Sequence, residues 1–212
     1  MTFNNFYCSH PGNHETAKPS RRRACLIVLL AALFLPAFAP VLAAPPAEPA
    51  RALRSQESGA SREDALARQM WELVNRDRQN PANAAETHGR ALPLRWNDKL
   101  AAVALAHSRD MMVRRYFAHV DPEGRTPTDR INAAGIEWRA LAENISMNRT
   151  VTSAENDLMN EPRFQQNHRG NILNPAYTDI GTGIVRAPDG DLYITQDFIA
   201  TPPDRGDVHR SR

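Results

Sequence analysis

The sequence predicts an α+β domain with its helices first and a β-hairpin last. Two apolar patterns recur at helical spacing: Leu66, Met70, Leu73 and Val74, then Leu100, Val103, Ala104, His107 and Met111. Near the end the character changes. Residues 180–185 and 192–199 are β-leaning runs joined by Ala187-Pro188-Asp189-Gly190-Asp191, a turn composition that reads as a hairpin. No alternation of strand and helix suggests a parallel βαβ sheet, so an antiparallel sheet is expected.

The elements follow in order. Ser61 with Asp64 resembles a capping box, and the first helix is expected over 62–80, stopping before Pro81. Asn97 supplies an N-cap for the second helix. Asp121-Pro122-Glu123-Gly124 has turn chemistry, and Thr126-Pro127-Thr128-Asp129 opens a short helix ending near Gly135. Thr152 with Glu155 repeats the capping box before a helix that Pro162 closes. In the last run Leu192, Ile194, Gln196 and Phe198 share one face, while Tyr193, Thr195 and Asp197 share the other.

Composition narrows the function. The 212 residues, 42% hydrophobic, suit one domain of ordinary size. With 26 basic against 24 acidic residues the chain lacks the electrostatic footprint of a nucleic-acid binder. Cys8 and Cys25 are too few and too N-terminal for a disulfide scaffold, a four-cysteine zinc site or a thiol mechanism in the folded part. Arg21 to Arg23 precede an uncharged, largely apolar run, and Ala43 suits a cleavage site, so 1–43 reads as a signal peptide. An uncleaved anchor is the alternative, and the one route by which the membrane enters this reading. Residues 44–60 are expected as a disordered linker, 61–200 as the domain and 201–212 as a flexible tail.

Five phrases then recur in order: Leu73-Val74-Asn75-Arg76, Ala106-His107-Ser108-Arg109-Asp110-Met111, Tyr116-Phe117-Ala118-His119, Ala142-Glu143-Asn144-Ile145, and His168-Arg169-Gly170-Asn171-Ile172-Leu173-Asn174-Pro175. Tyr177-Thr178-Asp179-Ile180-Gly181-Thr182-Gly183 and Tyr193-Ile194-Thr195-Gln196-Asp197-Phe198 follow. The ordered set, over about residues 64–199, resembles the CAP superfamily of SCP-like extracellular proteins, in its bacterial, cysteine-free branch. The resemblance implies an α-β-α sandwich with a central antiparallel sheet and a shallow cleft. In many members two histidines and two acids line that cleft, and some bind a divalent metal. By position His119 matches the first family histidine and Glu143 the first glutamate. The second histidine falls on Tyr193. The second acid has no clean match, Asp157 and Glu161 both being candidates, and 161–167 carries an apparent insertion.

The residues alone leave the chemistry open. His119, His168 and Glu143 could make a zinc-type site with an open position. Glu143 could instead orient His119 as a metal-free base. Alternatively, Glu143 and Asn144 satisfy buried backbone groups of loops, and His168 ties down the turn that follows it. His107, on an apolar helix face, reads as a core histidine with a satisfied hydrogen bond. No Gly-x-Ser-x-Gly elbow, His-Glu-x-x-His pair or phosphate loop is present. The expected ligand cleft comprises His119, Glu143, Asn144, His168, Tyr193 and Thr195. The expectation is a secreted or periplasmic, non-enzymatic binding module for a lipid, an envelope component or a protein partner. Its alternative is a metal-assisted, peptidase-like hydrolase using His119, Glu143 and His168.

Overall fold

The computed structural model describes residues 48–202, with side chains from Gly59 onward. The proposed signal or anchor segment, both cysteines and the tail beyond 202 lie outside the described residues. Among the described residues no helix is long and apolar enough to cross a membrane.

The first helix, α1, spans Glu48–Gln79, so residues 48–60 are helical where a disordered linker was expected. Ser61 and Asp64 lie within it and do not begin it. The cause is compositional: Ala, Arg, Leu, Gln and Glu make up nine of the thirteen residues 48–60 and are good helix formers once a packed continuation exists to extend from. A 3-10 turn over Pro81–Asn83 and α2, Ala84–Thr87, lead to β1, Arg95–Trp96. Helix α3, Asp98–Arg114, is capped as expected, Asn97 accepting from the Leu100 amide. Helix α4, Pro127–Ala133, starts with a complete capping box between Thr126 and Asp129 and has Pro at its start. Strand β2, Ala140–Asn148, follows. Helix α5, Val151–Met159, is capped by Thr150, whose side chain accepts from the Ser153 amide. The Thr152–Glu155 box is therefore displaced: Glu155 is a buried mid-helix residue. Helix α6, His168–Leu173, precedes β3, Asp179–Arg186, and β4, Leu192–Ala200, which form the expected hairpin.

The sheet order is β1-β3-β4-β2. Its two long ladders are antiparallel, but β1 pairs parallel with β3, so the expected antiparallel sheet is in fact mixed at one margin. Register places Glu143 opposite Asp197 and Asn144 opposite Gln196. Successive residues of a strand alternate in direction, so these two pairs lie on opposite faces. On one face α1, α5 and α6 bury Met70, Val74, Leu158 and Ile172 against Ile180, Ile184, Ile194 and Phe198. On the other, α3 and α4 enclose a smaller core of Leu100, Ile131, Ile136 and Ile199. The architecture is an α-β-α sandwich.

Helix α3 rests directly on the main chain of β3. A Cβ added to Gly181 would lie 2.2 Å from the Ala101 nitrogen, and one on Gly183 would lie 2.0 Å from the Leu105 nitrogen. Ser108, one turn further on, donates to the Gly183 carbonyl at 2.9 Å. Replacing Gly183 by Ala forces backbone apart, not a pliable side chain. Gly183→Ala is expected to cost about 3 kcal/mol, overpacking of this kind being at the upper end of its range. Thermal unfolding checks this through a fall in Tm of roughly 10 °C.

Candidate functional site

Strand β2 is an edge strand, and consecutive residues on it hold the two histidine-bearing segments. Glu143 faces the α3 side. Its side chain is 1% exposed, and its Oε1 accepts from His119 Nδ1 at 2.8 Å. Its Oε2 accepts from Arg130 Nη2 of α4 at 2.6 Å. Arg130 also donates to the His119 carbonyl at 3.0 Å, fixing the loop as well as the charge. His107 completes this side. It is 2% exposed, its Nε2 donates to the Ala118 carbonyl at 3.1 Å, and it lies 3.9 Å from Glu143 Oε1. The satisfied core histidine expected from sequence is thus also a wall of the site.

Asn144 faces the opposite way. Its amide nitrogen donates to the His168 carbonyl at 3.1 Å and to Gln196 Oε1 at 2.9 Å, and its oxygen accepts from Asn171 at 2.8 Å. His168 begins α6, and Glu161 grips it twice. The Glu161 carboxylate accepts from the His168 ring Nδ1 at 2.6 Å and from its main-chain N–H at 2.8 Å. The two imidazoles then meet in a stacked arrangement, centroids 6.5 Å apart and planes at 29°. A carboxylate accepting at each Nδ1 leaves each neutral ring a lone pair on Nε2.

The expected constellation is therefore only partly assembled. His119, Glu143 and His168 are close neighbours. Asn144 is fully buried beneath the other face and anchors His168 without lining the cleft. Thr195 is fully buried against α3, 2.8 Å from the Ser108 hydroxyl, which also removes Ser108 as an exposed nucleophile. Tyr193 shares the Glu143 face but stands four residues along β4 from Asp197, about 13 Å away at strand rise. Of the two candidate acids, Glu161 holds His168, whereas Asp157 accepts from Asn148 at 2.7 Å.

Two participants escaped the sequence reading. One is Arg130. The other is Asp197, which lies opposite Glu143 and is 1% exposed, neither oxygen having a hydrogen-bond partner among the described residues. Burial, and then the negative charge of Glu143, push the Asp197 carboxyl well above its usual range, although Arg130 opposes them. Burial would raise Glu143 too, but His119, Arg130 and His107 outweigh it and hold Glu143 below the usual carboxylate range. His107 is lowered, mainly by burial, so it is neutral near pH 7. The two buried acids are thus pushed in opposite directions, Glu143 toward ionisation and Asp197 away from it. The available signal was the run itself: an acid within a strand that is mostly buried is costly to keep as an anion.

This donor set does not suit a metal held by His119, Glu143 and His168. Both Glu143 oxygens are engaged by protein donors, and only two imidazole nitrogens are left. Among the described residues no group of three or more His, Cys, Asp or Glu side chains could hold a metal ion.

Behind Asn144 the polar chain continues. Gln196 donates to Glu155 Oε2 at 2.9 Å, while Glu155 Oε1 has no partner among the described residues. Burial pushes the Glu155 carboxyl up to about 8; Asp77 adds to this, whereas the Gln196 hydrogen bond and Arg76 oppose it. A raised folded value contributes stability that is complete below the ordinary value near 4.5 and is lost as pH climbs through about 8.

A model of the cysteine-rich secretory protein family, CAP, matches residues 71–198. The uncharacterized protein YkwD of Bacillus subtilis is 33% identical over 143 residues, 67% of this chain and 50% of that protein. The uncharacterized membrane protein YlbC of the same organism is 34% identical over 114 residues, 53% of this chain and 30% of that one. This chain thus matches half or less of the length of those curated relatives. A solved extracellular protein containing a SCP domain from Bacillus anthracis is 27% identical with a TM-score of 0.52, covering 66% of this chain and 41% of the other. An outer surface protein of Borrelia burgdorferi shares the fold, at 16% identity and a TM-score of 0.53, covering 64% and 92% respectively.

Two outcomes follow from the geometry. Arg130→Ala strands Glu143 as a buried anion with His119 as its remaining close donor, and urea unfolding should record a loss of about 3–5 kcal/mol. Glu155→Gln should flatten the decline in Tm between about pH 5 and pH 8 and should leave the variant the more stable protein at the alkaline end.

Proposed function

This chain belongs to the cysteine-rich secretory protein family, and on that premise we propose that it is an extracytoplasmic binding module. Its ligand is a lipid, an envelope component or a protein partner, held at the His119–His168 cleft. The observation that carries this reading is the state of Glu143. With one oxygen on His119 and the other on Arg130, it offers neither a free nucleophile nor a metal ligand. Ser108 is sealed between α3 and the sheet. What remains is a pair of oriented imidazoles, His119 partly exposed and His168 buried beside it, suited to hydrogen-bonding a polar group of a ligand. The extracellular description of the Bacillus anthracis protein supports the location.

One observation favours a second reading, a metal-free hydrolase. A carboxylate that fixes Nδ1 of an imidazole prepares Nε2 to take a proton, the usual arrangement of a general base. Peptides, esters and peptidoglycan incubated with high concentrations of protein separate the two. The binding module hydrolyses none of them, whereas turnover abolished by His119→Ala establishes the hydrolase. Elemental analysis after dialysis is expected to find no stoichiometric zinc. Retention of one equivalent that His119→Ala or His168→Ala releases would refute the ligand assignment made above.

A further inference from the structure

Behind the cleft, three amide side chains and one acid form a line of hydrogen bonds whose direction is imposed from one end. The His168 main-chain carbonyl can only accept, so Asn144 must present its amide nitrogen there, at 3.1 Å. The second proton of that nitrogen points at Gln196, which must therefore offer Oε1, at 2.9 Å. Gln196 is left with its nitrogen toward α5, where Glu155 Oε2 accepts at 2.9 Å and the Met70 sulfur at 3.0 Å. Asn144 Oδ1 accepts in turn from Asn171 of α6 at 2.8 Å. Reversing any one amide would set donor against donor or acceptor against acceptor.

Glu155 is thus the terminal acceptor of the line. Asn144, Gln196 and Glu155 are all 0% exposed, a setting in which linked hydrogen bonds polarise one another. Because Oε2 is committed to accepting, a proton on this carboxyl sits on Oε1, which has no partner among the described residues. A charge on Glu155 strengthens the bond from Gln196, whose Oε1 then pulls harder on the Asn144 nitrogen. That nitrogen also holds the His168 carbonyl, so what one of its protons gains the other loses. His168 is held at three points: Glu161 takes its ring Nδ1 and its main-chain N–H, and Asn144 takes its carbonyl. Charged groups on the neighbouring elements are engaged elsewhere. On α1, Asp77 is paired with Arg76; on α6, Arg169 is paired with Glu86 and the His168 ring lies on Glu161. Strands β2 and β4 bring only the uncharged Asn144 and Gln196 into the line.

We propose that Glu155 is a positioning residue for the cleft: acting through Gln196 and Asn144, its charge sets how tightly the His168 carbonyl is held. The neutral carboxyl leaves the bond from Asn144 to His168 at full strength. The carboxylate draws Asn144 toward Gln196 and slackens that third hold, so the His168 ring pivots on its two Glu161 contacts. Each relayed bond changes by roughly 10–30%, a graded adjustment and not a rearrangement. Burial places the change of charge at about pH 8. The functional weight of this relay rests on the His119–His168 cleft being a ligand site, but its operation is measurable with no ligand present.

The test follows the ¹³C,¹⁵N-labelled full chain by NMR as the pH is raised through about 8. Glu155 Cδ reports the charge directly. The His168 carbonyl carbon and the side-chain nitrogens of Asn144 and Gln196 are expected to move with the same midpoint, the carbonyl in the sense of a weakened hydrogen bond. Glu155→Gln keeps an acceptor toward Gln196 but cannot ionise, and the inflections should vanish. Gln196→Met cuts the line at its middle. Glu155 should then titrate at a higher pH, because the Gln196 hydrogen bond that lowers its value is gone, while the His168 carbonyl falls silent. A residue that merely fills space would move none of these signals. Three results would overturn the proposal: a Glu155 Cδ that does not titrate in this range, a His168 carbonyl that stays flat while it does, or an inflection that survives in either variant. Failure of the binding reading would leave the inflections in place, so the two are told apart.

Discussion

Everything at the candidate site hangs on the two-residue period of β2. Glu143 and Asn144 are neighbours in sequence, yet the pleat sends one to each face of the sheet. Glu143 engages the His119 loop and the Arg130 helix above the sheet. Asn144 engages the start of α6 beneath it. The stacked imidazoles are brought together around the margin of one strand by two adjacent side chains. A slip of one residue would exchange the two faces and separate both histidines from their supports.

The electrostatics are consistent with that placement. A carboxylate as deeply buried as Glu143 is tolerated only with paired donors, and it has an imidazole, a guanidinium and a second imidazole nearby. Asp197 directly across the ladder would add a second negative charge, and burial together with the charge of Glu143 disfavours its ionisation. On the other face burial disfavours ionisation of Glu155 in the same way. The sheet therefore carries a buried acid of raised pKa on each face, with the Glu143 ion cluster on the α3 side.

Much of this is legible in the residues, and the failures have identifiable causes. The caps at Asn97 and Thr126, the hairpin and the approach of His119 to Glu143 follow from short-range chemistry or from the ordered family phrases. Strand β2 escapes notice because 140–148 lacks apolar alternation: its buried positions include the polar Glu143, Asn144 and Ser146, the first two satisfied by distant partners. Strand β1 is too short to carry a pattern. Placing Asn144 in the cleft equates adjacency in sequence with adjacency in space, which a strand forbids. Thr195 fails there too, because α3 seals it. Arg130 gives no local signal, since its role depends on a contact thirteen residues away in sequence with Glu143.

The seating of α3 on Gly181 and Gly183 has a geometric corollary. Where helix and sheet meet through side chains, their separation drifts as those side chains are exchanged during evolution. Here main chain touches main chain, so the spacing is set by atomic radii and acts as a fixed ruler. His107 rides on that helix, and its reach toward Glu143 is measured from the same contact. Surrounding residues can therefore diversify without retuning this wall of the cleft, whereas a single methyl group on β3 would put it out of gauge.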